Sequence, residues 1–144
     1  MHGIKDNVEI RVVGNPIAAG SSIDGNSSII DMEGYESVAF VATITDSVDT
    51  AVATLTVEES AANADGAMVA VAGASASVTS ASNDDINGKC LIAEYRKTDK
   101  RYVQVVRTSA TANIAYGNIV AILTPYRKPV TQDVTVAASA YVSN

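Results

Sequence analysis

Residues 89–126 read KCLIAEYRKTDKRYVQVVRTSATANIAYGNIVAILTPY. Three apolar-rich runs lie in this stretch at even spacing: KCLIAEYR (89–96), RYVQVVRT (101–108) and GNIVAILTPY (117–126). Each is short, rich in β-branched or aromatic residues and bounded by turn residues, the pattern of a β-strand. KTDK (97–100) reads as a tight turn joining the first two. The third run is apolar at nearly every position, as a strand covered on both faces would be. In the middle run Arg101, Val103, Val105 and Arg107 fall on one side, and Tyr102, Gln104 and Val106 on the other. The two valines are expected to point inward. Arg101 and Arg107 would then reach solvent from the strand ends along their apolar stems, leaving Tyr102 and Gln104 outside.

Upstream, VEIRVV (8–13) reads as a first strand, and VGNPIAAGSSIDGNSS (13–28) carries loop chemistry. GYESVAFVATI (34–44) places Val38, Phe40, Ala42 and Ile44 on one face, and Phe40 is the only Phe of a chain without Trp. AVATLTVEES (51–60) sets Ala53, Leu55 and Val57 against Thr54, Thr56 and Glu58. With TDSVDT (45–50) as the turn, these two segments are expected to form a hairpin with one wet face. Residues 61–88 are diluted with Ala, Ser, Asn, Asp and Gly, and are read as loops with short edge strands near 67–72 and 76–80. Pro125 and Pro129 interrupt pairing after the last long strand. Residues 130–144 are expected to be a final strand or an arm, and residues 1–7 a second arm. Many short strands and no helical stripe predict one domain over 1–144, an antiparallel β-sandwich or barrel.

Composition narrows the function. Hydrophobic residues make up 47% of the 144 and charged residues 18%, too apolar for disorder and too poorly charged for a coiled coil. No apolar run approaches the roughly 20 residues of a membrane helix, and the N-terminal residues carry no export-signal pattern. The net charge of −6 disfavours nucleic acid as a partner. That charge is unevenly spread: residues 1–88 hold two basic and thirteen acidic residues, and residues 89–144 hold eight basic and three acidic. The halves either cancel by interleaving or leave two faces of opposite sign that suit contact with another protein. Arg96, Lys97, Lys100, Arg101, Tyr102, Arg107, Arg127 and Lys128 are the candidate contact residues.

Signs of chemistry are sparse. The one His, His2, would have to be brought from a terminus to serve a nucleophile, and one His with one Cys cannot make a zinc cluster. Cys90 has no intramolecular disulfide partner and is expected to be a small buried hydrophobe. Glu58-Glu59 and Asp84-Asp85 point to opposite sides of an extended chain, so neither is an acid/base pair. Asn83-Asp84-Asp85-Ile86-Asn87-Gly88, with Glu94, fits several positions of a calcium loop. The flanking strand turns Glu94 away, and a turn is the simpler reading. No catalytic, metal or cofactor residues are assigned.

Taken in order, the GYESVAFVATI strand, TLTVEES, a variable Ala/Ser/Gly loop, KRYVQVV, NIVAIL and the exit PYRKPV cover roughly residues 34–130. This set of pieces resembles the capsid decoration proteins of tailed bacteriophages, also called cement or auxiliary head proteins. The resemblance implies a jelly-roll-like β-sandwich with extended terminal arms. It also implies attachment to the outer capsid surface at junctions of the major capsid protein, as a homodimer or homotrimer, after synthesis in the host cytoplasm. It implies no enzyme activity, no cofactor, no nucleic acid and no membrane. Two other readings stay open: a head-to-tail joint or tail structural protein, and a carbohydrate-binding or adhesion module, calcium-dependent through Asn83, Asp85 and Asn87.

Overall fold

The computed structural model describes residues 3–143; His2 lies outside the described residues. A one-turn helix (Ile4–Asn7) leads into β1 (Glu9–Gly14), followed by the short strands β2 (Ile17–Gly20), β3 (Asp24–Asn26) and β4 (Ile30–Asp31). The long strands are β5 (Tyr35–Ser47), β6 (Val52–Ser60), β7 (Val69–Thr79), β8 (Cys90–Arg96), β9 (Tyr102–Ala110) and β10 (Ile114–Pro125). They form two sheets. The first runs β1-β10-β5-β8, with β2 also on β10, and the second runs β3-β9-β6-β7, with β4 also on β9. Among the described residues every strand pairing is antiparallel. Taking β1/β2 and β3/β4 as two broken strands, the chain is an eight-stranded double Greek key, the jelly-roll order. The expected all-β sandwich is therefore the fold.

The alternating faces expected for β5 and β6 are those of the structure. Val38, Phe40, Ala42 and Ile44 meet Ala53, Leu55 and Val57 in the core, with Val103, Val105, Ile119, Ala121 and Leu123. The connections differ from expectation. β5 and β6 are not a hairpin, because the 48–50 corner, with Thr50 at φ 68°, carries the chain from one sheet to the other. KTDK does the same between β8 and β9, with Lys97 at φ 54°. Alternation shows which side of a strand is apolar. It does not show whether the next strand lies beside it or across the core. Residues 61–88 hold one long strand, β7, and not two short ones; it pairs with β6 and carries a wide bulge where Gly73 takes φ +81°. Cys90 is exposed, contrary to expectation, since β8 turns Leu91 and Ala93 inward.

Tyr116 ties the sheets together. It is fully buried on β10, its hydroxyl donates to the Thr108 carbonyl at 2.6 Å, and it accepts from the Thr54 amide at 3.1 Å, both on the opposite sheet. Next to it β10 is irregular. A Cβ at Gly117 would lie 2.1 Å from Thr43 Oγ1, so any larger residue there requires the Thr43 hydroxyl to turn away.

The C-terminal segment forms no strand; it lies along the free edge of β1. Gln132 accepts from the Ile10 amide (2.8 Å) and donates to the Lys5 and Val8 carbonyls (2.8 and 2.7 Å), and Thr135 Oγ1 accepts from the Val12 amide (3.0 Å). Side chains thus satisfy edge groups that another strand would otherwise take. Gln132→Ala removes three of these bonds, each contributing about 0.5–1.5 kcal/mol. Limited proteolysis should then cut within 130–143 far faster than in the parent, with the β circular-dichroism signal unchanged.

Candidate functional site

Two surfaces carry what the sequence singled out and what it missed. The first is the end of the sandwich where the β8–β9 corner, the 32–35 turn and the exit from β10 meet. Met32, Tyr35, Lys97, Lys100, Arg101 and Tyr126 help to line an open cleft of about 550 Å³ there. Six of the predicted contact residues, Arg96, Lys97, Lys100, Arg101, Arg127 and Lys128, are exposed at or near this end, and Tyr102 is half-buried.

Three of those six cations are paired within the chain. Arg101 makes a two-pronged contact with Asp31 (2.9 and 2.8 Å), reaches Glu33 (2.7 Å) and lies over the Tyr102 ring. Arg96 holds Glu36 at 2.7 Å, and Lys100 pairs with Asp99 at 3.3 Å. Hydrogen bonding to Arg101 holds the Asp31 carboxyl below its usual range and raises the Arg101 guanidinium. Arg96 does the same to Glu36. The acidic partners Asp31, Glu33 and Glu36 come from the acidic half of the chain, so at this end the halves cancel by interleaving. Among the described residues, Lys97, Arg127 and Lys128 make no ion pair.

Arg107 is not at the surface. It shares the inner face of β9 with Val103 and Val105, and because β9 continues to Ala110 it is not at a strand end. Only 2% exposed, it donates to the Asn15 carbonyl (2.8 Å) and the Gly117 carbonyl (2.7 Å) and lies over Tyr116. Among the described residues no carboxylate pairs with it and its Nε has no partner. Desolvation lowers its pKa, and the same burial pushes Tyr116 up to about 12. Gln104 also departs from expectation. It lies on the outer side of β9 but is buried, its amide donating to Glu58 (2.8 Å) and Asp65 (2.7 Å).

The second surface is the outer face of the first sheet. Val12, Val120, Val41 and Ile92 stand in register across β1, β10, β5 and β8, all pointing away from the core. Ile10, Ile122 and Ala39 form the adjacent row, closed by Glu94. Val12 is 39% exposed and Ile92 58%. The outer face of the second sheet is of another kind. There Thr54 meets Ser77 at 2.8 Å and Thr56 meets Ser75 at 3.0 Å, with Thr108 in register with Thr54. The sandwich therefore has one apolar face and one coated with hydroxyls. The signal for the apolar face was present in NIVAIL, whose two apolar sides require two covers, but the sheet order that aligns it with Val12, Val41 and Ile92 was not visible.

The 83–88 loop spends its oxygens inside the chain. Asn83 accepts from the Asp49 amide, Asp85 from Ser80 and the Ala81 amide, and Asn87 from Ser47, while Ile86 is buried. Glu94 points outward on β8. Among the described residues no group of three or more His, Cys, Asp or Glu could hold a metal ion, and no helix is long and apolar enough to cross a membrane.

No family model matches the chain, and no curated protein does. Among solved structures, a chain from "Structure of infectious bursal disease virus Gx strain" is similar with a TM-score of 0.46 and 8% identity, over 84% of this chain. The present chain spans 33% of that one. A likeness of this size fixes neither family nor role.

Two outcomes follow. Arg107→Glu should unfold the domain and not act at its surface, since an unpaired buried carboxylate would cost about 3–5 kcal/mol; chemical denaturation reads the loss. The second concerns acid. Asp31, Glu36, Asp85 and Asp133 have folded pKa values below their ordinary values of 3.8 (Asp) and 4.5 (Glu). Their contribution is complete above those values and is lost as pH falls through the lower folded ones. Thermal midpoints should be flat down to about pH 4.5 and then drop, with Asp31→Asn flattening part of the drop. The effect is small, because the pairs are exposed.

Proposed function

We propose that this protein is a structural virion component that binds the outer surface of a bacteriophage capsid, at junctions between major capsid subunits, and reinforces the shell. The observation that carries this reading is the two-faced sandwich. A contiguous apolar face across four strands is the kind of surface that marks a partner interface, and the opposite hydroxyl-rich face suits solvent. On this reading the apolar face of the first sheet meets the shell.

The sequence resemblance to decoration proteins supports the same assignment, and the jelly-roll order is the architecture it implied. The basic end has a narrower part than its composition suggested. Arg96, Lys100 and Arg101 are engaged by the chain's own carboxylates and Arg107 is internal. Lys97, Arg127 and Lys128 remain as the cations for an acidic capsid surface, at the rim of the interface. The charge split then serves folding first, and attachment rests on apolar contact.

The test uses particles lacking this protein, to which purified chain is added back. Val41→Asp places a carboxylate at the half-exposed centre of the apolar row and Ile92→Asp one at its exposed edge, and both are desolvated on attachment. Each should lower apparent affinity by about tenfold or more, with the thermal midpoint little changed. Arg101→Glu should have a smaller effect. Unchanged occupancy with both apolar-row variants would overturn the assignment of this face. Attachment as a single ring at one vertex would favour the head-to-tail joint.

A further inference from the structure

Each sandwich has strand edges to protect, and three of the four here are protected in recognisable ways. The β1 edge is capped by Gln132 and Thr135. The β3/β4 edge is broken into strands of three and two residues. The β8 edge carries Glu94 and Arg96, with Lys89 just before it. Short edge strands and edge charges both discourage pairing with another chain.

The β7 edge differs. It is an 11-residue strand inside an uncharged run, residues 66–83. Outside its ladder with β6, Val69–Thr79 makes no backbone hydrogen bond among the described residues. The bulge, itself a device that blunts an edge, sets four residues, 71–74, opposite the single Val57; residues 75–79 beyond it stay in unbroken register with β6.

We propose that two copies of this chain associate by antiparallel pairing of residues 75–79 with the same residues of a second copy, about a two-fold axis at Ser77. The segment is complementary to itself in that register. Ser77 faces Ser77 of the second copy and Ser75 faces its Thr79, so hydroxyls meet hydroxyls on the outer side. They continue the Thr54–Ser77 and Thr56–Ser75 contacts already present across β6 and β7. On the inner side Ala76 faces Val78 of the second copy. Both are only partly buried against the core in one chain, and pairing completes their cover. No like charges meet, because the segment has none. The second sheets of the two copies become one continuous sheet. Antiparallel self-pairing is isologous and closes at two. The inference concerns the free protein in solution and does not rest on the capsid reading.

Sedimentation velocity of the full chain, at concentrations on the order of tens of micromolar, should show a dimer. Ser77→Lys puts two ammonium groups face to face at the axis while the side chain stays solvent-exposed in the single chain. It should weaken association about tenfold or more with an unchanged circular-dichroism spectrum. A second variant does not depend on disruption: Ser77→Cys in a Cys90→Ser background should be captured as a covalent dimer by a short bismaleimide. Thr43→Cys in the same background, on the outer face of the first sheet, should not. A monomeric parent chain overturns the proposal. So does a trimer, or a dimer that neither responds to Ser77→Lys nor is captured through position 77.

Discussion

A strand that is apolar on both faces has to be covered twice, and β10 sits inside the first sheet with only one cover inside its own chain. Its inner residues Ile119, Ala121 and Leu123 are fully buried against the second sheet. Its outer residues Val120 and Ile122 line up with Val12, Val41 and Ile10 and leave a half-exposed apolar face. Removing such area from water yields about 25 cal/mol per Å² before the costs of association. That gain is open to any partner of matching shape. The hydroxyl face opposite offers no comparable gain, so the sandwich has an orientation built into it.

The interior makes the same economy with small residues. The chain has three Leu, one Phe and no Trp, and the core between the sheets is mostly Val, Ile and Ala. Polar groups do part of the joining. Tyr116 spans from one sheet to the backbone of the other, and Arg107 reaches back in the opposite direction to the Gly117 and Asn15 carbonyls. These two side chains lie against each other where β10 is irregular and Gly117 brings the backbone close to the Thr43 side chain. A buried guanidinium held by carbonyls alone is costly to place and specifies one arrangement of the two sheets at this corner.

How much of this was legible follows from what alternation can and cannot encode. β5, β6, β9 and β10 are legible as strands, and the inward residues of the first three with them, because period-two alternation is a local property. Which strands share a sheet is not local. The 45–50 and 97–100 turns looked like hairpin turns and are corners between sheets. Arg107 was placed on the correct side of β9, but the strand runs three residues past it, which removed its route to solvent. Cys90 fell on the outer side of β8 for the same reason that Leu91 fell inside. The basic cluster is real as composition, yet Asp31, Glu33 and Glu36 fold back onto Arg96 and Arg101 from a distant part of the chain and neutralise those two. The apolar face was half visible in NIVAIL and required the register of four strands to complete.

The most direct test of the central claim is a cryo-electron microscopy reconstruction of particles carrying the protein, at a resolution that places the two sheets. A decoration role on the apolar face requires density distributed over the shell at subunit junctions, with Val12, Val41, Val120 and Ile92 against capsid and the Thr54–Ser77 face toward solvent. The reverse orientation, or density confined to one vertex, would contradict it.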